Sequence, residues 1–168
     1  MKNLLVAVDF SDVTNRVLEK ASEIAIGAGA KVWLLHCVER HASLAAMSEV
    51  PMAVPLSEPT LPARFPGIHL QLSELCRSLQ RKGVEAEMLF VAGAVTQEIL
   101  KAVNEHQIDL IFMGSRGHSS LYDLVVGSNT KSVLYYTSTP TVIVPGEQRS
   151  EKIEFTANQW EEPMATPY

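Results

Sequence analysis

Near its start the chain reads Leu4-Leu5-Val6-Ala7-Val8-Asp9, an unbroken β-favouring run that ends at a carboxylate. Continuous rather than alternating apolar character predicts a strand covered on both faces, as at the centre of a parallel sheet. Apolar residues then recur at helical steps of three and four: Val13, Val17, Ala21, Ile24 and Ala28. A second apolar run covers 32–38, and this strand-helix-strand order predicts two parallel strands joined by a right-handed crossover.

The remainder of the chain continues the same alternation. Ser11 or Asp12 is expected to cap the first helix, and Gly83 to end a second helix that contains the stripe 72–79. Further strands are predicted at 84–91, 109–113 and 141–144, and further helices at 95–103 and 128–136. The strand at 84–91 alternates apolar and acidic residues, which indicates a position at the rim of the sheet. The whole pattern predicts an open, doubly wound α/β fold with five mostly parallel strands and helices on both faces.

Length and composition predict one domain, residues 1–146, followed by an acidic tail at 147–168. The chain has 168 residues, 46% of them hydrophobic, and a net charge of −5, so it has no general electrostatic attraction for nucleic acid or an anionic membrane. No apolar stretch approaches the ~18 residues of a membrane span. With only two cysteines, the expected location is the cytoplasm.

A proline-rich insertion is predicted at 39–67, where five prolines are spaced too closely for a long helix or an internal strand: Pro51, Pro55, Pro59, Pro62 and Pro66. The insertion and the tail are open to several roles: covering a ligand, extending an interface or binding a protein partner.

Two segments after the fourth predicted strand have the composition of an anion site. The first is Met113-Gly114-Ser115-Arg116-Gly117, whose glycines allow backbone N–H groups to approach an anion closely. The second is Gly127-Ser128-Asn129-Thr130, directly before a helix whose first N–H groups lack partners. Each segment alone is compatible with an ordinary turn or a simple helix cap. Together they predict a phosphate site at the carboxyl ends of the strands.

These segments, from Met113 through Gly127-Ser128, resemble the ATP-binding signature of the universal stress protein family. The resemblance extends to the runs at 6–11 and 140–145 and so covers about residues 1–146. It implies the sheet order 3-2-1-4-5 of the adenine nucleotide alpha hydrolase-like fold. It also implies a homodimer through the last strand and, because all three signature glycines are present, the nucleotide-binding branch of the family.

Carried over by position, the resemblance implies a complete set of ligand-binding residues. Asp9 and Ser11 are expected on the adenine and ribose side, the main chain of Val38 at the adenine, and Met113 and Gly114 beside the ribose. The phosphates are assigned to Gly117, Gly127, Ser128, Asn129 and Thr130, with Ser115 and Arg116 in the same loop. The implied ligand is ATP, or ADP or AMP, together with Mg²⁺, and no residue is assigned as catalytic or as a protein metal ligand.

The chain lacks the signatures of fast nucleotide enzymes. It has no Walker sequence, and its five histidines form no metal-binding spacing. The favoured interpretation is an ATP-binding protein that acts as a stress regulator or sensor, and not as a fast enzyme. Its activity as a regulator would depend on whether the nucleotide is bound. Two alternatives stay open: a slow ATP or diphosphate-bond hydrolase, in which Asp9 or Asp123 positions a metal-bound water, and a dimeric interaction module that binds no nucleotide.

Overall fold

The computed structural model describes residues 1–39, 60–115 and 126–146. The strands are β1 (Asn3–Ala7), β2 (Lys31–Glu39), β3 (Ala86–Gly93), β4 (Leu110–Gly114) and β5 (Thr141–Val144). The helices are α1 (Thr14–Ala28), α2 (Leu61–Arg64), α3 (Pro66–Arg81), α4 (Val95–Glu105) and α5 (Ser128–Tyr136). Every strand pair is parallel, and the order is β3-β2-β1-β4-β5. The predicted fold class, strand order and rim position of β3 are confirmed.

The central strand carries the core on both of its faces. Leu4 and Val6 of β1 pack with α1 and α3, whereas Leu5 packs on the other face with Ile99 of α4. All three β1 side chains are fully buried. This two-sided burial is the physical reason why the run has no polar alternation.

The ends of α1 are formed differently from each other. Gly29 follows the helix with φ +59° and its N–H donates to the carbonyls of Ala25 and Ile26, as expected of a left-handed stop. At the start, Val13 occupies the cap position and no side chain caps the helix. The prediction that Ser11 or Asp12 caps α1 was therefore wrong; only the main-chain carbonyl of Ser11 takes part, accepting from Thr14 N at 3.0 Å.

Two of the closely spaced prolines begin helices rather than exclude them. Pro62 lies in the first turn of α2, and Pro66 is the first residue of α3. Proline is favoured there because the first helical N–H has no partner to lose. Helical structure thus starts inside the predicted 39–67 insertion, of which residues 40–59 lie outside the described part, as does the tail from 147 onward.

The end of α3 follows the prediction. Gly83 lies beyond the helix at φ +83°, and its N–H donates to the carbonyl of Gln80 at 2.9 Å.

Within the three described ranges, no helix has the length and apolar character needed to cross a membrane.

Candidate functional site

A cavity of about 440 Å³ opens at the carboxyl ends of the central strands. From β1 the chain winds outward to β2 and β3 on one side, and β4 and β5 lie on the other, so this is the switch point at which ligands of open α/β sheets bind. Its lining combines buried apolar side chains such as Leu35, Ile99 and Met113 with polar residues. The described lining residues are Ala7, Val8, Asp9, Leu35, His36, Cys37, Glu39, Val95, Ile99, Met113, Gly114, Gly127, Ser128, Asn129 and Thr130.

The amino end of α5 forms one wall of this cavity. The first helical hydrogen bond runs from Lys131 N to Gly127 O at 2.9 Å. The N–H groups of Ser128, Asn129 and Thr130 precede it and therefore have no acceptor within the helix. No side chain caps this end either. The three residues line the cavity, so the positive end of the helix dipole lies against it.

Hydrogen bonds attach this helix end to the sheet. The buried Thr130 hydroxyl donates to Gly114 O at 3.1 Å, and Gly127 N donates to Ser115 O at 2.7 Å. Ser115 N in turn donates to Val144 O at 2.8 Å. These bonds occupy the Gly127 amide and the Thr130 hydroxyl proton. An anion at this wall would therefore meet the amides of Ser128, Asn129 and Thr130.

The turn after β1 positions the Asp9 carboxylate at the rim. Asp9 Oδ1 accepts a hydrogen bond from Ser11 N at 3.0 Å, and Phe10 between them has φ +60°. A left-handed conformation at a bulky residue costs about 1–2 kcal/mol, which the Asp9 bond and the packing of the Phe10 ring on His36 help to offset. The ring centroids of that pair are 4.5 Å apart. The turn fixes Asp9 in the cavity.

Ser11 lies in a different place from the one expected. It lines a second cavity of about 320 Å³, with Phe10, Thr14 and Asn15 from the start of α1 and Gln71, Glu74 and Leu75 from α3. Ser11 and Asp9 thus line different cavities, although the Ser11 N–H donates to the Asp9 carboxylate at 3.0 Å.

The end of β2 forms the opposite wall. Side chains alternate along a strand, so Leu35, Cys37 and Glu39 share the face that α4 covers, and all three line the cavity. The intervening Val38 does not line it. Burial raises the pKa of the half-buried Cys37 thiol, and the negative charges of Glu98 and Glu39 raise it further.

His36 is held beside this wall by the main chain. Its Nδ1 lies 2.8 Å from Val8 O, and since a carbonyl only accepts, Nδ1 carries the proton. By strand alternation its side chain lies on the face opposite Cys37, where Phe10 and Phe90 flank the ring. This hydrogen bond connects the end of β2 to the end of β1.

The structure brings most of the sequence-predicted site residues to one place. Those that line the cavity are Asp9, Met113, Gly114, Gly127, Ser128, Asn129 and Thr130. Ser115 supports the loop, Ser11 and Val38 do not line the cavity, and Arg116 and Gly117 lie outside the described residues. Sequence reasoning missed Cys37, Glu39, Val95 and Ile99, although strand alternation from the buried Leu35 would have indicated the first two.

The charges of the described lining are acidic. Asp9 and Glu39 contribute carboxylates, and no lysine or arginine is among the described lining residues. Within the ranges 1–39, 60–115 and 126–146, no group of three His, Cys, Asp or Glu side chains forms a metal cluster. Attraction for an anion at the described wall must therefore come from main-chain amides.

The fold and the cavity define an open, doubly wound α/β protein with a ligand-type crevice at its switch point. The chain belongs to the universal stress protein family, whose model matches residues 1–145. It is 30% identical over 145 residues to the universal stress protein YxiE of Bacillus subtilis, covering 84% of this chain and 97% of that protein.

Two solved structures show the same fold. The protein MJ0577 superposes with a TM-score of 0.73 at 22% identity, covering 88% of this chain and 97% of the other. The universal stress protein from Archaeoglobus fulgidus in complex with dAMP superposes with a TM-score of 0.61 at 21% identity, covering 85% and 97%.

Proposed function

We propose that this chain binds ATP in the cavity between β1, β2 and α5 and acts as a nucleotide-dependent regulator in the stress response. The observation that carries the proposal is the wall of three main-chain amides at Ser128, Asn129 and Thr130, which lack acceptors within α5. Helix amino ends of this kind bind phosphate through N–H groups and the helix dipole. The dAMP complex of a family member supports an adenine nucleotide as the ligand class.

The dimensions of the cavity agree with a ligand of this size. Its volume of about 440 Å³ falls within the roughly 300–1,000 Å³ usual for small-molecule and cofactor sites. The apolar lining residues Leu35, Val95, Ile99 and Met113 suit the faces of a nucleobase. The proposed order of the ligand is base toward β2 and phosphates toward α5.

Magnesium fits this site as a companion of the phosphates. Mg²⁺ is usually held by one or two carboxylates together with substrate phosphates and water, and the Asp9 carboxylate lines the cavity. One oxygen of Asp9 accepts from Ser11 N, which leaves the other for a hydrated cation. When bound, the ion would neutralise phosphate charge near an acidic rim.

The test uses Ser128, the first residue of α5. Ser128→Pro removes one N–H from the wall at the helical position that tolerates proline best, and the preceding Gly127, with ψ 154°, suits a following proline. Ser128→Ala is the matched control because it removes the hydroxyl and keeps the N–H. Calorimetric titration with ATP and Mg²⁺ should show that Ser128→Pro lowers the ATP affinity by about tenfold or more. This is the contribution of a hydrogen bond to a charged group.

Equal ATP affinity in wild type and Ser128→Pro, with equal thermal stability, would contradict the placement of the phosphates at α5. Chromatography of the nucleotide after hours of incubation separates the roles. Intact ATP supports a binding protein, and accumulating product supports the slow hydrolase. Absence of binding by any adenine nucleotide supports the interaction module.

Regulation requires that the nucleotide favours one of two states of the protein. The proposed surface that responds to the nucleotide is β5, through which two chains would form a homodimer. β5 is the edge of the described sheet and pairs with β4 alone, and Tyr135 and Tyr136 of α5 are 81% and 68% exposed. Sedimentation with and without ATP tests this: a mass of twice 18.5 kDa that depends on nucleotide supports it, and a monomer under both conditions refutes it.

The proposed location is the cytoplasm, where thiols such as the free Cys37 and Cys76 stay reduced.

A further inference from the structure

We propose that the second cavity, between the amino end of α1 and α3, binds a small neutral ligand that carries several hydroxyl groups, such as a monosaccharide or a cyclic polyol. Its volume of about 320 Å³ falls within the range usual for small-molecule sites. It shares no described lining residue with the cavity proposed for the nucleotide. This inference therefore does not rest on the proposed function.

A buried hydroxyl without a partner among the described residues marks this cavity. Thr14, the first residue of α1, lines the cavity and is only 6% exposed. Its Oγ1 has no hydrogen-bond partner within the described part of the chain, although buried hydroxyl groups in native proteins are normally paired. A hydroxyl can both donate and accept, so a ligand hydroxyl in the cavity would supply the missing partner.

The start of α1 adds a main-chain donor beside Thr14. Thr14 N donates to Ser11 O at 3.0 Å. The first helical hydrogen bond runs from Val17 N to Val13 O, also at 3.0 Å. The N–H of Asn15 lies between these two bonds and therefore has no acceptor within the helix. Since Asn15 also lines the cavity, its N–H is placed to serve a ligand there.

The polar side chains of the lining match hydroxyl groups. The side-chain amides of Asn15 and Gln71 each carry both donors and an acceptor. The hydroxyls of Ser11 and Thr14 likewise donate and accept. A ligand hydroxyl has the same double character, so it can pair with any of these four groups in either direction.

Two apolar residues complete the surface. Phe10 and Leu75 line the cavity, and both are partly buried against the core. The Phe10 ring is held in place by its packing on His36, with ring centroids 4.5 Å apart. A sugar or cyclic polyol carries C–H groups on the faces of its ring and hydroxyls at the edge. Such a ring can therefore pack on the apolar residues while its hydroxyls reach the polar ones.

The charges at the cavity disfavour an ionic ligand. Glu74 contributes a carboxylate and no lysine or arginine is among the described lining residues, so an anion is repelled. Glu74 is already paired along α3: Oε1 accepts from Arg81 Nη2 at 2.9 Å, and Oε2 lies 3.6 Å from Arg77 Nη1. These two cations offset the charge that would select a cationic ligand. A neutral ligand is the class that fits.

The experiment titrates the full chain, without nucleotide, with D-glucose and with myo-inositol and follows the amide signals by NMR. At least one probe should cause saturable shifts of the Asn15 main-chain N–H and of the Asn15 and Gln71 side-chain amides. The amides of Ser128, Asn129 and Thr130, which line the first cavity, should not shift.

Four variants test the assigned contacts. Thr14→Val keeps the shape of the side chain and removes the hydroxyl, so it should lower the affinity for the probe about threefold or more, the contribution of one hydrogen bond. Thr14→Ser keeps the hydroxyl and should bind like wild type. Gln71→Ala, at an exposed position, should weaken binding by a similar factor. Ser73→Ala removes a hydroxyl of α3 that is not part of the described lining, and it should leave the affinity unchanged.

Thermal unfolding separates binding from folding. Because Thr14 Oγ1 has no partner in the described part of the chain, Thr14→Val should keep the thermal midpoint of the free protein. A loss of probe binding in this variant then reports the missing hydroxyl and not a damaged fold.

Four results would overturn the inference. The first is the absence of saturable shifts with both probes. The second is shifts confined to the amides of Ser128, Asn129 and Thr130, which would place the probe in the first cavity. The third is tighter binding of glucose 6-phosphate or glucosamine than of glucose, which would indicate a site for an ion. The fourth is an affinity unchanged in both Thr14→Val and Gln71→Ala.

Discussion

Thr130→Val should loosen the attachment of α5 to the sheet. The Thr130 side chain is 5% exposed, and its hydroxyl donates to Gly114 O at 3.1 Å, which joins the third residue of α5 to the last residue of β4. Valine has the same shape and similar helix propensity, so the substitution removes the hydrogen bond and little else. The loss of the bond and of a donor for a buried carbonyl should cost about 1–2 kcal/mol of unfolding free energy.

For a chain of this size, 1 kcal/mol corresponds to about 2–4 °C, so the thermal midpoint should fall by about 2–8 °C. Urea unfolding followed by circular dichroism measures the free energy directly. The matched variant is Thr130→Ser, which keeps the hydroxyl and loses one methyl group, worth about 0.8 kcal/mol. Because it keeps the Gly114 bond, it should also keep the ATP affinity of wild type, whereas Thr130→Val should lower it.

A Thr130→Val variant as stable as wild type in urea would contradict a stabilising role for the Gly114 hydrogen bond. An equal loss of ATP affinity in Thr130→Ser and Thr130→Val would mean that the methyl group, and not the hydroxyl, positions the amides of α5.

Two further predictions concern the scaffold. Gly27→Ala, inside α1 with nothing within 4 Å of the added Cβ, should stabilise the protein by about 0.5–1 kcal/mol. Gly29→Ala, at φ +59° with equally open space, should destabilise the protein by about 1 kcal/mol. Chemical unfolding should give changes in unfolding free energy of opposite sign for the two variants. Changes of the same sign would contradict the role assigned to backbone conformation. The main-chain N–H groups of Lys2 and Asn3 donate to the Asp109 carboxylate and hold its pKa below its usual value. The ionised carboxylate therefore contributes fully to stability above about pH 4, and this contribution is lost as pH falls through the lowered folded-state pKa. Acid unfolding of Asp109→Asn should therefore differ from wild type near neutrality and converge with it at low pH; a constant difference would contradict this linkage.

The core elements could be predicted from the sequence because their patterns have local causes. The unbroken run at 4–8 requires burial on two faces and so predicts a central strand. Its place between β2 and β4 was expected only from the resemblance to the family. The stops at Gly29 and Gly83 were predictable for the same reason, since both have a positive φ that side chains disfavour. The helix starts were less predictable: Val13 takes the cap position of α1 because the Asp9 turn, and not a side-chain cap, sets the entry of the chain.

The residues of the candidate site were partly predictable in the same sense. The sequence by itself determined that Asp9, Met113, Gly114 and the start of α5 come together, because the carboxyl ends of adjacent parallel strands meet at one edge. Only the tertiary structure decided which of their polar groups stay available, since Gly127 N and the Thr130 hydroxyl are used by Ser115 and Gly114. Hydrogen-bond partners distant in sequence leave no local pattern.

The same distinction holds for the β2 wall. The sequence located the end of the strand, but the cavity is lined by Cys37 and Glu39 and not by Val38. A strand presents alternate residues to opposite faces, and the face that borders the cavity depends on where α4 packs. That choice comes from the packing of the helix on the sheet, which no single segment of the chain encodes.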